Sequence, residues 1–408
     1  MARVVVIGGG IAGCAIAARL AGAGHEITVL EQEFEYSDKV RGEGLVNWGV
    51  LEAQAMGLGE VLLGAPGASV MTRYVGYDET VSIERARRTA KNLAGVIDGV
   101  PGLIGIGHPQ FRQALADHAA KAGVEIVVGI SSVHAEPGPQ PSVSYAVDGV
   151  GRRIGADLVV VADGKGSGTR RALGVALQTT THRMMLTGML IDDGGVWDRA
   201  ETAVGVVGRD QLFVIPRGDG RIRLYVGRLV GDERFNGADR QQRFLECFRT
   251  EHFPDSDALA DATVAGPIAS FPMTDSWTED PVLPGVVLAG DAAGWSNPIT
   301  GQGLAVALRD ARVITDLLLE SATWTSGTLV PYREERRERM ARLRFASALT
   351  DLITAFGTDD RAARRERAGR LLRTRPDLAA AFEAVHGGPW SLPGEAFSPD
   401  KLMTLALA

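Results

Sequence analysis

Cysteine is almost absent from this 408-residue chain, with only Cys14 and Cys247 present. Two thiols exclude a disulfide framework, and they form no metal cluster. Cys14 falls in an apolar helical stretch, where a small buried thiol is expected rather than a reactive one. Positive charge is not in excess either: 43 Lys and Arg stand against 50 Asp and Glu, a net charge of -7. That balance argues against a general nucleic-acid binder and a basic membrane-surface protein. No uninterrupted apolar run reaches the roughly 20 residues of a membrane-spanning helix. The apolar N-terminus is not read as a secretion signal, because five glycines break its would-be hydrophobic region. Internal repeats and low-complexity stretches are missing. These absences leave a cytoplasmic globular protein as the expectation, long enough for two domains sharing a substantial core.

What is present begins at residue 3. Residues 4–7 are a continuous β-branched run, as expected of a strand buried on both faces of a parallel sheet. Gly8, Gly10 and Gly13 then give G-x-G-x-x-G where that strand must turn into a helix. Gly8 permits the tight turn, Gly10 lets the backbone approach a pyrophosphate, and Gly13 allows close helix–strand packing. Ile11 and Ala12 lie at the positive, N–H-bearing end of the helix. Residues 27–30 read as the second strand. Glu31 ends it, with Gln32 beside it, roughly 20 residues past the glycines, where a carboxylate accepts hydrogen bonds from a ribose diol. The motif predicts a dinucleotide site; alone it does not separate FAD from NAD.

Residues 34–49 are polar and loop-like, and Arg41, beside Gly42, is free to point at an anion. A helix is expected over 50–56. Arg85, Arg87, Arg88 and Lys91 form a basic patch, read as surface charge and a candidate contact for a nicotinamide cofactor's phosphate. Residues 108–123 predict a helix opened by His108 and carrying Arg112, with Phe111, Leu115 and Ala119 on one stripe. A hairpin is expected around Asp148-Gly149. Residues 157–162 are another apolar strand, running directly into Asp163-Gly164 and a loop rich in glycine and cations. From 182 to 230 strands follow one another without helices, so a separate, mostly antiparallel sheet is expected, with 268–272 as its last strand. Alternation puts His182, Met184 and Leu186 on one face, and Arg221, Arg223 and Tyr225 on one face of a neighbour. His182, Met184, Phe213 and Tyr225 are candidate substrate contacts. In the tail, 334–386, two basic helical patterns interleave Arg and Glu and read as a solvated face.

A third motif closes the set: a strand over 286–289 ends in Gly290-Asp291, and Pro298, Gly301, Gln302, Gly303 and Leu304 open the next helix. Gly8/Gly10/Gly13 with Glu31, then Asp163-Gly164, then Gly290-Asp291 with Pro298, Gly301 and Gly303 resemble the flavoprotein monooxygenases of the p-hydroxybenzoate hydroxylase fold, over about residues 1–320. The resemblance implies an α/β fold: a discontinuous Rossmann-like FAD-binding domain (1–72, 98–178 and 280–325), an inserted, mostly antiparallel β-sheet substrate domain (73–97 and 179–279) and a C-terminal helical segment (326–408). It implies that the first motif holds the FAD phosphates and adenosine ribose. The second lies near the FAD and is linked to the nicotinamide cofactor, and the third holds the flavin ribityl and pyrophosphate. Physical reasoning agrees: Asp291 can accept from a ribityl hydroxyl, and Pro298, lacking an N–H, suits packing against an isoalloxazine ring. The N–H groups opening the helix would stabilise negative charge on reduced flavin.

The activity so implied is an NAD(P)H-consuming FAD monooxygenase that hydroxylates or epoxidises a small organic substrate, aromatic or polyketide-like, through a flavin C4a-hydroperoxide. Trp295 and Pro298 would stand at the flavin face. Departures from the pattern open alternatives. Many members have a histidine where Gly294-Trp295 stands, and His108 replaces an arginine or glutamine that contacts FAD in relatives. The Gly-Asp-Ala-Ala-Gly…Asn-Pro-Ile-Thr-Gly form is similar to geranylgeranyl reductases, so an FAD-dependent reductase or saturase of an isoprenoid-like substrate is the alternative. A flavin-dependent halogenase is weaker, because its Trp-x-Trp-x-Ile-Pro is missing. No second glycine-rich unit exists, so NAD(P)H would dock transiently on the surface. The expected partners are the organic substrate and O₂, with no nucleic acid, no integral membrane segment and no metal, in a monomer or homodimer.

Overall fold

Strand β1 (Arg3–Ile7) is buried from Val4 onward, with parallel strands pairing along both of its edges, as its β-branched run predicts. The chain continues through α1 (Ile11–Gly22), β2 (Glu26–Leu30), α2 (Asn47–Ala55), β3 (Arg73–Asp78), α3 (His108–Lys121), β4 (Glu125–Val127) and β5 (Leu158–Val161). There follow β6 (Met184–Asp192), β7 (Glu201–Val207), β8 (Asp210–Pro216), β9 (Arg221–Leu229), β10 (Thr263–Pro272) and β11 (Val286–Leu288). The last long elements are α4 (Gly303–Glu320), α5 (Val330–Thr354) and α6 (Arg361–Thr374). The structure, a computed structural model, describes residues 1–325, 327–354, 356–357 and 359–407.

The first sheet runs Val282–Leu283, β11, β5, β1, β2, β4; it is parallel apart from the Val282–Leu283 edge. Alternation along β1 divides the core. Val4 and Val6 face the helices, joining Ile16 and Leu20 of α1, Phe111 and Leu115 of α3 and Leu308 of α4. Val5 and Ile7 face the other way, against Val143 and Tyr145 of a small antiparallel sheet. That sheet pairs Ser131–Glu136, Ser142–Val147 and Val150–Gly155. The last two are the expected hairpin. Its third strand, Ser-Ser-Val-His-Ala-Glu, carries no apolar alternation long enough to announce it.

The second sheet has the order β10, β6, β9, β8, β7, β3 and Lys91–Asn92. All its pairs are antiparallel except β7 with β3. One face packs on Phe244, Phe248 and Phe253. The other, carrying Leu186, Phe213 and Tyr225, joins Val40 and Ile299 and so turns towards the first sheet's loops.

Two readings need correction. The helix expected over 50–56 starts earlier, at Asn47, whose side chain donates to the Leu93 carbonyl at 2.8 Å. The tail's Arg/Glu pattern is not all solvated: Arg336 and Arg339 of α5 are buried, 1% and 0% exposed. Helical periodicity located the stripe, but the carboxylate that makes burial tolerable, Asp310, lies on α4. No described helix is long and apolar enough to cross a membrane.

Candidate functional site: a dinucleotide cavity between the two sheets

A cavity of about 1190 Å³ extends from the turn after β1 to the second sheet, more than the roughly 300–1,000 Å³ of an ordinary small-molecule pocket. Its first wall is the glycine turn. Gly8 has φ +105°, and a Cβ there would stand 2.5 Å from the Ala162 carbonyl oxygen; at Gly13 it would stand 2.0 Å from that of Gly8. Those two glycines serve packing. Gly10 does not: a Cβ there would meet nothing closer than 3.9 Å, and the residue lines the cavity. The missing side chain leaves room for a ligand rather than for the protein.

At the end of β2, the Glu31 carboxylate accepts from the Gly9 N–H (2.6 Å), the Glu33 N–H (2.8 Å) and Arg112 (3.2 Å). With about four acceptor sites on a carboxylate, a ligand hydroxyl can still be taken. Arg112 also binds Glu33 at 3.0 Å and stacks over Tyr36 at 3.9 Å. His108 opens α3 against Gly42. Burial, reinforced by Arg112, Arg41 and Lys39, pushes its imidazole down to about 3. It is neutral, and its buried Nδ1 has no partner among the described residues. Asp163, just past β5, accepts from the Thr169 N–H at 3.2 Å, while its Oδ1 is buried without a partner among the described residues.

The loop Gly290–Gly294 is pinned from behind. Asp310 of α4 accepts from the Gly290 N–H at 2.8 Å and from Arg339 at 2.6 Å. Arg336 of α5 pairs with Asp310 at 3.1 Å and donates to the carbonyls of Ala293 (2.9 Å), Gly294 (2.9 Å) and Gly290 (3.2 Å). Burial alone would raise the Asp310 carboxyl; the two guanidinium groups outweigh it and hold it low. In front of this support, Asp291 lines the cavity; its backbone carbonyl accepts from the Gly294 N–H at 3.1 Å, while its carboxylate accepts no hydrogen bond from a described residue. Burial raises its carboxyl, opposed by Arg41, Lys165 and Arg336. Pro298–Thr300 form a single 3-10 turn, capped by Asn297 through the Ile299 N–H at 3.0 Å. No side chain caps α4, so its leading N–H groups lack a side-chain acceptor where Gly303 and Leu304 line the cavity. Gln302 is held by Trp48, which donates at 2.8 Å, and itself donates to the Val385 carbonyl at 3.2 Å.

The far arm is apolar: Leu186, Phe213, Ile215, Tyr225 and Phe271 from the second sheet, with Ile299. Most residues singled out above line this one cavity: Gly8, Gly10, Ile11, Ala12, Glu31, Gln32, Arg41, His108, Arg112, Asp163, Gly164, Gly290, Asp291, Trp295, Pro298, Gly301, Gln302, Gly303, Leu304, Phe213 and Tyr225. Three do not. Gly13 is a packing glycine, Met184 is buried in the cluster around Val40 and Ile299, and His182 is exposed before β6 begins. Of the basic patch, Arg87 is engaged by buried Glu201 at 3.3 Å and Lys91 by Glu383 at 2.7 Å; Arg85 and Arg88 are exposed.

Sequence reasoning missed Lys165, whose ammonium sits 4.5 Å over the Trp295 ring and is held below its ordinary value by burial. It also missed Glu43, fully enclosed at the cavity wall, which accepts from Arg223 at 3.0 Å with Arg217 at 3.7 Å. Burial pushes Glu43 up to about 7 against the pull of these arginines. A charged residue inside the polar 34–49 loop gave no signal of burial.

A parallel sheet with a glycine turn at its first strand, a carboxylate at its second and a Gly-Asp loop beside an uncapped helix defines a flavin-binding oxidoreductase. The FAD binding domain family model matches residues 1–347, and the chain belongs to that family. It is 27% identical to a menaquinone reductase of Mycolicibacterium smegmatis over 342 residues, 81% of this chain and 78% of that one. To mouse squalene monooxygenase it is 24% identical over 370 residues, 88% of this chain and 63% of that one. Its fold matches p-nitrophenol 4-monooxygenase of Pseudomonas putida DLL-E4 with a TM-score of 0.78, at 20% identity, over 95% of this chain and 99% of that one. FAD is the cofactor, and the residues present fit it: Gly10 with its open side, Asp163 with an Oδ1 that has no partner among the described residues, and Asp291 with a carboxylate that accepts from none of them all line one continuous cavity.

Proposed function

We propose that the chain is a monooxygenase that consumes NAD(P)H and O₂ and places one oxygen atom into a small organic substrate, by hydroxylation or epoxidation, the second oxygen leaving as water. Bound FAD supplies the redox chemistry, taking hydride and activating O₂; the chain's residues bind, orient and exclude water. Gly10 and the start of α1 take the pyrophosphate, and Glu31 takes the adenosine ribose. Asp291 takes a ribityl hydroxyl, and Pro298 to Leu304 take the reactive edge, where the leading N–H groups of α4 stabilise negative charge. The observation that carries the reading is the apolar arm. Its apolar side chains, Leu186, Phe213, Ile215, Tyr225 and Phe271 of the second sheet with Phe382 and Val385, line the same cavity as Pro298, and apolar walls of this kind favour keeping a reactive oxygen donor from water.

A reductase of an apolar substrate is the second reading, favoured by the relative named menaquinone reductase. Rapid mixing of the anaerobically reduced holoprotein with O₂ separates the two. A transient flavin spectrum distinct from both the reduced and oxidised forms supports oxygen transfer. Monotonic reoxidation, together with anaerobic reduction of substrate by the reduced protein, would replace it with the reductase.

A further inference from the structure

His386 lies in a short helix, Glu383–Gly387, well beyond the cofactor motifs in the chain. Its side chain is 6% exposed, yet the residue lines the cavity. Neither ring nitrogen bonds to a described residue, and Nδ1 is sealed from solvent. The ring stands edge-on to Tyr74 of β3, centroids 5.6 Å apart, and Tyr74 lines the same cavity with its hydroxyl bonded to no described residue. Buried polar groups find partners in the great majority of native sites. His386 Nδ1 is such a buried atom without a partner among the described residues, and the hydroxyl of half-buried Tyr74 beside it also lacks one, so the two mark a place that a ligand completes.

The charge nearby narrows the ligand. The cation at this end, Lys91, is already held by Glu383 at 2.7 Å. Burial, with Lys91 adding, pushes His386 down to about 3, so the imidazole is neutral and offers one donor and one acceptor. Tyr74 is pushed up to about 12 by burial and stays a phenol. Lys91 and Glu383 already compensate each other, whereas a ligand hydroxyl or carbonyl matches both His386 and Tyr74. We infer that the substrate is an uncharged molecule with an apolar body and one neutral oxygen, held between His386 and Tyr74. The inference rests on reading the apolar arm as the substrate site.

The test is calorimetric titration of the holoprotein with naphthalene, 2-naphthol and 2-naphthoate, without NAD(P)H. Wild type is expected to bind 2-naphthol roughly three- to tenfold more tightly than naphthalene, the yield of one net hydrogen bond, and 2-naphthoate most weakly. His386→Leu should reduce that preference to below about twofold while leaving naphthalene affinity unchanged. Tyr74→Phe, which keeps the ring, should also diminish it, and guards against a folding failure of the first variant. The inference is overturned if both variants keep the preference, if 2-naphthoate binds tightest, or if none of the three binds wild type. Binding as expected, together with monotonic reoxidation and anaerobic substrate reduction in the rapid-mixing experiment, would remove the monooxygenase reading and leave this one standing.

Discussion

Arg336→Met tests the most consequential departure from the sequence reading, the burial of arginines in the tail. Arg336 pairs with fully buried Asp310 and donates to three carbonyls of the Gly290–Gly294 loop, at 2.9, 2.9 and 3.2 Å. Removing one partner of a buried ion pair costs about 3–5 kcal/mol. The lower end applies here, because Arg339 stays on Asp310 at 2.6 Å and keeps its charge compensated. About 3 kcal/mol is roughly a hundredfold in an equilibrium constant. The control is the same substitution one residue on: Arg337 is exposed, and Arg337→Met should stay within about 0.5 kcal/mol of wild type. Urea unfolding of both holoproteins, with FAD release followed by flavin fluorescence, gives the comparison. Arg336→Met should unfold at lower urea and release FAD more readily. If the two variants match, the Arg/Glu stripe is a solvated face after all and the loop's support lies elsewhere.

Three further outcomes are expected. Asp291→Ala should fold, with an unchanged far-ultraviolet spectrum, and purify largely without FAD; full flavin occupancy would remove Asp291 from the site. Gly10→Ala and Gly13→Ala should fail differently, since a Cβ at Gly10 has open space and one at Gly13 lies 2.0 Å from a carbonyl oxygen: the first should give soluble apoprotein, the second little folded protein, and equal flavin binding by Gly10→Ala and wild type would refute the cradle. His108 is held neutral down to about 3, whereas the unfolded chain takes up its proton near pH 6.5. Its contribution to stability is therefore intact above pH 6.5 and lost progressively as pH falls towards 3. His108→Asn should flatten the dependence of the urea midpoint on pH in that window, and an unchanged slope would show that the imidazole is not sealed off.

The first sheet was legible because its strands are short runs of Val, Ile and Leu, buried on both faces, and because Gly8, Gly10 and Gly13 perform distinct steric tasks in a fixed order. The second sheet was legible as strands without helices, but alternation names two faces and cannot say which one meets the cavity. Tyr225 and Phe213 fell on the cavity side, whereas His182 lies outside β6 altogether. What stayed hidden were partners distant in sequence. Asp310 and Arg336 are 26 residues apart, and Glu43 and Arg223 are 180 apart. Each looks like a solvated charge until the fold brings its counter-ion. His386 was hidden for the converse reason: its neighbours contribute no hydrogen bond, so nothing local distinguishes it.

The clamp that Arg336 places on the Gly290–Gly294 loop also orders events in time. The glycine turn after β1 leaves the ribosome early, whereas the guanidinium that fixes the opposite wall is synthesised more than 300 residues later. A nascent chain can display the phosphate cradle long before it can retain the cofactor. Flavin retention is thus expected to come late in synthesis: chains truncated before α5 should carry every glycine of the motif and still hold flavin poorly.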